Sequence, residues 1–224
     1  MHATSEQTTK QIAKSEHVKP ETAYRCGLQA IFKILKLVKE KNGLTKKQVD
    51  ILKKTPFYNF FKVIYEEKIT MKECKKHQQN LDALYNCYCM ETDTLILEED
   101  KMKVTARDIS LLFGLPLKGI NIEPTKKLTS RTIPPDCKDF ATRNFGTNTY
   151  ITRNVVERRI KQEISKRKKE NEEDLPLLIV MQILLTFFFP NNQQKLRWGI
   201  LPYLIDSETM QTVSWPETIE NFFL

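Results

Sequence analysis

Four side chains that favour a soft metal fall close together. They are Cys74, His77, Cys87 and Cys89, a Cys-x-x-His followed by a Cys-x-Cys within 16 residues. Thiolates and imidazoles are the ligands zinc selects. Two considerations oppose a metal here. The paired Cys-x-x-Cys knuckle of most zinc turns is absent. Read as one helix from about Thr70 to Tyr88, the segment also places Cys74, His77, Leu81, Leu84, Tyr85 and Tyr88 on one apolar stripe. Core packing then explains them, and the same helix turns Cys87 and Cys89 about 200° apart. Reduced structural thiols are the expectation, and no residue is assigned to a metal.

Catalytic chemistry finds few footholds. His2 and His17 lie in a polar N-terminal stretch, leaving His77 for any Ser–His–Asp or Cys–His arrangement. The patterns H-E-x-x-H, G-x-S-x-G and G-x-G-x-x-G do not occur. Gly114-Leu-Pro-Leu-Lys-Gly119 matches the first half of a phosphate loop. Ile120 and Asn121 then stand where a phosphate-neutralising Lys and a magnesium-holding Ser or Thr are needed. The acidic runs Glu66-Glu67, Glu98-Glu99-Asp100 and Glu172-Glu173-Asp174 read as solvated surface, because catalytic carboxylates must converge across a cleft. No catalytic or cofactor-binding residue is assigned, and the expectation is a protein that is not an enzyme and holds no cofactor.

Charge carries more information. Lys and Arg number 36 against 28 Asp and Glu, a net charge of +8, which favours acidic partners or a nuclear address. Lys36, Lys39, Lys41, Lys46, Lys47, Lys53 and Lys54 surround the first helices. Arg153, Arg158, Arg159, Lys161 and the run Lys166, Arg167, Lys168, Lys169 load a later one. The four-residue run fits a nuclear-import signal or a nucleic-acid contact. The plainer reading is a solvated helix face whose cations pair with Glu157, Glu163 and Glu170. Stacking aromatics usually accompany phosphate-binding surfaces, whereas Phe57 and Phe60 sit at core spacing.

The elements that position these residues are mostly helical. Residues 1–20 read as a disordered arm. Residues 21–122 form an N-terminal helical sub-region, 123–150 a Thr-, Pro-, Asn- and Gly-rich loop or linker, and 151–224 a C-terminal helical sub-region, with 21–224 as one domain. Leu28, Ile31, Leu35 and Val38 make a helical stripe closed by Asn42-Gly43. Thr45 and Gln48 have capping-box spacing, as do Ser214 and Glu217. Thr55-Pro56 opens a helix with Phe57, Phe60, Phe61 and Ile64 on one face. Residues 94–97 and 102–104 read as a β-hairpin. Thr105 and Asp108 start a helix whose apolar face is Ile109, Leu112 and Phe113, closed by Gly114. Residues 152–173 read as a charged helix with a stripe of Val156, Ile160 and Ile164.

Leu175 to Phe189 is 15 residues of nearly unbroken apolar sequence. A membrane-spanning helix needs roughly 20, so a fully buried central helix is expected and no membrane contact. Five cysteines, an odd number, and an N-terminus without an apolar leader fit reduced thiols in the nucleus or cytoplasm. The helical pattern runs on to Leu224, as it does in a fragment or a shortened copy.

Three stretches together resemble the plant mobile domain family, also labelled aminotransferase-like, and its relatives upstream of SUMO-protease-like peptidases. The first is Leu52-Lys-Lys-Thr55-Pro56-Phe57. The second is Thr94-Leu-Ile-Leu97 followed by Val104-Thr-Ala-Arg-Asp108-Ile-Ser-Leu-Leu-Phe-Gly114-Leu-Pro116-Leu-Lys-Gly119. The third is Phe189-Pro190, Trp198 to Leu204, Asp206 and Trp215 to Leu224. The resemblance covers roughly residues 50–224. It implies a non-enzymatic, transposon-derived nuclear domain acting through protein partners in transposon silencing or genome maintenance, and it supplies no catalytic residues. A pyridoxal-phosphate enzyme needs a Schiff-base Lys and a phosphate cup, which no motif here provides. The expected fold is mainly α, with one small β-hairpin, packed around the buried helix at 175–189. Nucleic-acid binding through the basic helices is the alternative, and an enzyme the third reading.

Overall fold

Helix α1 (Leu28–Glu40) buries Ile31, Ile34, Leu35 and Val38, the stripe its spacing predicts. The chain leaves it through Gly43, which sits at φ +69° and donates its N–H to the Val38 carbonyl at 3.0 Å. These coordinates belong to a computed structural model, which describes residues 27–41, 43–74, 83–84, 86–123, 128, 131–146, 150–165, 172–190, 195–196 and 198–223. Helix α2 (Lys46–Lys53) starts on a complete capping box. The Thr45 N–H donates to Gln48 Oε1 at 3.0 Å, and the Gln48 N–H to Thr45 Oγ1 at 3.2 Å. Helix α3 (Tyr58–Tyr65) follows Thr55-Pro56 and turns Phe57, Phe61 and Ile64 inward.

The small sheet has three strands where the sequence predicts two. Strand β1 (Tyr88–Cys89) pairs antiparallel with β2 (Thr94–Leu97), and β2 pairs with β3 (Asp100–Met102). The predicted helix through Tyr88 therefore ends earlier. Tyr88 and Cys89 find extended partners in Leu95 and Thr94, and the Tyr88 hydroxyl donates to Asp93 Oδ1 at 2.6 Å across the turn. Two tight turns hold this sheet, with Asp93 at φ +52° and Glu98 at φ +56°.

Helix α4 (Ala106–Phe113) keeps its predicted cap. Thr105 N–H and Oγ1 both donate to Asp108 Oδ2, at 2.9 and 2.7 Å, and hold that carboxyl below its ordinary pKa. Gly114, at φ +66°, closes the helix. Only part of the predicted face is inside: Ile109 is buried and Phe113 half-buried, but Leu112 points to solvent.

Residues 123–150, expected as a loop or linker, contain helix α5 (Pro135–Phe145). Pro135 sits at its first turn, where a missing N–H costs nothing. Cys137, Phe140, Ala141, Asn144 and Phe145 form its buried face. Strand β4 (Ile151–Thr152) runs straight into helix α6 (Arg153–Ser165), which buries Val156 and Ile160.

Helix α7 (Asp174–Ile183) continues into a π-helical turn (Leu184–Phe188). Every residue of α7 is buried. Among the described residues, no helix is long and apolar enough to cross a membrane. In the π turn, the Phe189 N–H reaches the Leu184 carbonyl at 2.7 Å. The widened turn leaves the Thr186 carbonyl to accept from the Gly27 N–H at 3.0 Å, tying the start of α1 to the central helix. After α7, strand β5 (Lys195–Leu196) pairs with β4, a second ladder the sequence does not announce. A 3-10 turn (Leu201–Tyr203), helix α8 (Ser207–Gln211) and helix α9 (Trp215–Phe223) complete the chain.

The capping box predicted at the start of α9 does not form. Ser214 Oγ is buried without a hydrogen-bond partner, and the Ser214 carbonyl instead accepts from Thr218 N–H and Oγ1. Trp215 anchors the helix, its indole N–H donating to the Met210 carbonyl at 2.8 Å.

The core is one cluster of buried residues that runs from Ile31 to Ile219. Helix α7 packs against α2 and α6, its π turn against α1, and α9 against α4. Aromatic rings seal the junction. Phe57 meets Trp215 at 5.1 Å, Phe60 meets Phe187 at 4.9 Å and Phe113 meets Phe188 at 5.1 Å. Such pairs each contribute ~0.5–1.5 kcal/mol beyond the area they bury. The fold is mainly helical with a small antiparallel sheet, as expected.

Gly119 shows how closely the loop after α4 lies on this body. It sits at φ +126°, and a Cβ there would overlap the Thr212 carbonyl oxygen and the Val213–Ser214 backbone. The neighbouring Ile120 exchanges backbone bonds of 2.7 and 2.9 Å with Thr212 and Ser214. Gly146, at φ +58°, has nothing near its absent Cβ. Gly119→Ala is expected to lower stability by about 3 kcal/mol or more, and Gly146→Ala by about 1 kcal/mol, from strain alone. Equal losses in urea denaturation would contradict this packing.

Candidate functional site

The predicted basic run Lys166, Arg167, Lys168, Lys169 lies outside the described residues, as does His77. Cys74, Cys87 and Cys89 are half-buried free thiols, and Cys137 is a buried one. Burial holds the Cys74 and Cys137 thiols above their ordinary pKa. Cys89 is held below it by hydrogen bonds from the Thr92 hydroxyl and from the Thr92 and Glu91 amides. Since Cys89 lies on β1, the argument that one helix splays Cys87 and Cys89 apart does not apply to it. Among the described residues, no group of three or more His, Cys, Asp or Glu side chains is arranged to hold a metal.

The strongest polar constellation is one that sequence reasoning missed. Asp174, read from sequence as solvated, is 2% exposed. Arg143 grips it with two parallel bonds, Nε to Oδ2 and Nη2 to Oδ1, both 2.8 Å. The Asn144 amide donates to the same Oδ2 at 2.9 Å. Arg159 Nε then donates to Asn144 Oδ1 at 2.9 Å, and its Nη2 meets Glu163 Oε1 at 2.5 Å. The chain Glu163–Arg159–Asn144–Asp174–Arg143 thus bolts α6, α5 and the first turn of α7 together.

Its electrostatics are closed. Two cations face two carboxylates, and the carboxylate of Asp174 also lies at the positive end of α7. Its hydrogen bonds hold the Arg143 guanidinium above its ordinary pKa. Each charge has its counter-charge within bonding distance, which suits a clamp and leaves no proton-transfer partner poised for a substrate. The i, i+4 spacing of Arg159 and Glu163 is the one trace of this network in the sequence; the partners on α5 could not be read before that helix was known.

Gln182 is a different case. It is 1% exposed, and neither its amide oxygen nor its nitrogen has a hydrogen-bond partner. One turn on, Thr186 Oγ1 donates to the Gln182 backbone carbonyl at 2.5 Å, so that hydroxyl is satisfied.

Several lysines of the basic surfaces stand beside acids. Lys39 pairs with Glu67 at 2.9 Å, Lys47 with Glu173 at 3.1 Å, Lys53 with Asp50 at 3.1 Å and Lys161 with Glu157 at 2.7 Å. A shallow groove along α2 is lined by Lys46, Lys47, Asp50, Ile51, Lys54 and Glu173, with both signs of charge. Near α6, the Lys195 ammonium sits 3.9 Å over the exposed Tyr150 ring.

The sheet and α4 present the opposite character. Leu111 and Leu112 are 75% and 74% exposed, and Ile96, Leu97, Met102, Val104, Leu117 and Ile120 are also exposed. Strand register puts Leu95, Leu97 and Met102 on one face of the sheet. Since α4 turns Ile109 and Phe113 inward, Leu111, Asp108 and Leu112 fall on its outer side. Large apolar side chains are thus bare on both the sheet and α4.

The family model described as a domain of unknown function, DUF8566, matches residues 24–224. No curated protein and no solved structure matches the chain.

Two substitutions separate the clamp from the unpaired amide. Asp174→Asn is expected to destabilise by about 3 kcal/mol, because it leaves Arg143 and Asn144 facing a neutral amide. Gln182→Met, near in volume, is expected to stabilise by ~1–3 kcal/mol by removing two unsatisfied buried groups. Chemical denaturation reads both, and a stabilising Asp174→Asn or a destabilising Gln182→Met would refute the assignments.

Proposed function

The chain belongs to the family of the domain of unknown function DUF8566, and we propose that it works as a non-enzymatic protein-interaction domain. The observation that carries this reading is the set of exposed apolar side chains on β2, β3 and α4, Leu111 and Leu112 the barest of that set, beside the paired charges of the Asp174 clamp. Apolar side chains left exposed on neighbouring elements are the usual mark of a surface that another macromolecule covers. The clamp around Asp174 works in the same direction, since it spends the most buried ionisable groups on holding helices together.

Origin from a mobile element, kinship with the plant mobile domain family, and a nuclear role in transposon silencing or genome maintenance are part of the same proposal. Their support is the order of the three resembling stretches. In the structure those residues are caps, turns and anchors: Thr105 and Asp108, Gly114 and Gly119, Trp198 and Trp215. Such residues specify a body that presents a surface.

A second reading, nucleic-acid binding, has its own observation. Tyr150 is exposed beneath the Lys195 ammonium, a stacking platform with a cation next to the basic helix α6. It is opposed by the pairing of many lysines with acids on the same surfaces.

Affinity capture from nuclear extract, with and without nuclease, separates the two. The interaction reading expects partner proteins retained after nuclease and lost from a Leu111→Lys/Leu112→Lys variant. Retention abolished by nuclease would contradict it. So would a salt-dependent gel shift that disappears on reversing the charges of Lys166, Arg167, Lys168 and Lys169.

A further inference from the structure

We propose that Cys87 and Cys89 are a peroxide-sensitive dithiol, in which the Cys89 sulfur is oxidised first and Cys87 then closes a reversible disulfide. This site stands apart from the interaction reading and does not depend on it. Exposure alternates along residues 86–90. Asn86, Tyr88 and Met90 are exposed, whereas Cys87 and Cys89 are half-buried. The two thiols therefore lean to one side of the chain as it enters β1. Residues two apart have Cα atoms about 6.6 Å from each other at strand extension, and closer where the chain turns. A disulfide needs roughly 4.4–6.8 Å. Both thiols are free.

The turn after β1 is built around the Cys89 sulfur. The Thr92 hydroxyl, the Thr92 N–H and the Glu91 N–H all donate to it. Thr92 Oγ1 also lies 2.7 Å from Thr94 Oγ1. With its own proton given to sulfur, the Thr92 hydroxyl accepts from Thr94, and the two hydroxyls polarise one another toward Cys89. The turn is pinned on its far side. The Tyr88 hydroxyl donates to Asp93 Oδ1 at 2.6 Å, and Lys103 Nζ stands 3.5 Å from Asp93 Oδ2. Successive N–H groups converging in a turn favour an anion. Here the anion is the thiolate, and the donors outweigh the opposing Glu91 carboxylate. Burial acts the other way on Cys74 and Cys137. The thiolate is the reactive form, and exposed Met90, Glu91 and Thr92 leave a small oxidant room to reach it.

Two steps complete the reaction. The Cys89 thiolate displaces hydroxide from hydrogen peroxide. An S–O bond forms as the O–O bond breaks, the sulfur gives two electrons to the peroxide, and the hydroxide takes up a proton as water. The Cys87 sulfur then attacks the sulfenic sulfur of Cys89. The S–S bond forms, the S–O bond breaks, and the Cys87 proton leaves with the departing hydroxide as a second water. Two thiols and one peroxide thus give one disulfide and two waters. A bridge across a single intervening residue is strained, so thiol reductants reopen it.

Peptide mass spectrometry of the full, reduced chain during titration with hydrogen peroxide tests the proposal. The expected product is a Cys87–Cys89 disulfide that dithiothreitol reverses, formed ~10-fold or more faster than any oxidation of Cys74 or Cys137. In Cys87→Ser, dimedone should trap a sulfenic acid at Cys89. In Cys89→Ser, Cys87 should lose most of its reactivity toward peroxide. Thr92→Val, at an exposed position, should slow both peroxide oxidation and iodoacetamide labelling of Cys89 by about 3-fold or more at neutral pH while circular dichroism stays native. A merely structural Thr92 would leave those rates unchanged. First oxidation at another cysteine, a Cys89 that proceeds to sulfinic acid without bridging to Cys87, or rates indifferent to Thr92 would each overturn the proposal.

Discussion

Burying an entire helix is the constraint on which the rest of this structure depends. Helix α7 shows no face to solvent, so every neighbour must offer it an apolar side: α2, α6, and α1 at its π turn. A Leu or Ile buried in this way contributes ~1.5–3 kcal/mol, but the backbone and polar groups carried inside must all find partners. The architecture answers this demand group by group. Asp174 at the N-terminus receives Arg143 and Asn144. The freed carbonyl at the far end receives Gly27. Gln182 is the exception, an amide whose side-chain groups have no partner.

That demand also explains what is left outside. Once α1, α2, α6 and the aromatic rings have closed around α7, little apolar surface remains for the sheet to cover. The strands pack chiefly on one another, and α4 spends one face on α9. Its other face, with Leu111 and Leu112, is left exposed by the described residues. Among the described residues a closed interior thus stands beside exposed apolar side chains on the sheet and on α4, and the functional reading follows from that contrast.

Much of the fold was legible in the sequence because it rests on local chemistry. The capping boxes at Thr45 and Thr105, the stop at Gly43, the stripe of α1 and the buried run after Asp174 are all short-range signals with a direct physical cause. Where the reading failed, distant partners decided. Tyr88 and Cys89 leave the predicted helix because Leu95 and Thr94 offer them a ladder. Helix α5 hides in a Pro- and Thr-rich stretch because its buried face is defined by neighbours far along the chain. Leu112 has helical spacing but no wall to pack against. Ser214 has capping-box spacing, yet its hydroxyl goes unused.

The candidate site was the least legible part. Arg159 and Glu163 share a helix and could be paired by spacing, but Arg143 and Asn144 meet Asp174 only after two distant helices have packed. The exposed apolar surface is legible only as a failure of burial, which needs the structure to be seen at all. The basic run, the feature most visible in the sequence, takes its meaning from partners and not from the fold.

Native-state hydrogen exchange, read residue by residue, tests the contrast directly. The account predicts that amides of Leu177 to Phe188 exchange only through global unfolding, while those of Thr94 to Met102 exchange readily in dilute solution. Rapid exchange through the central helix, or a hairpin as protected in dilute solution as the core, would contradict it.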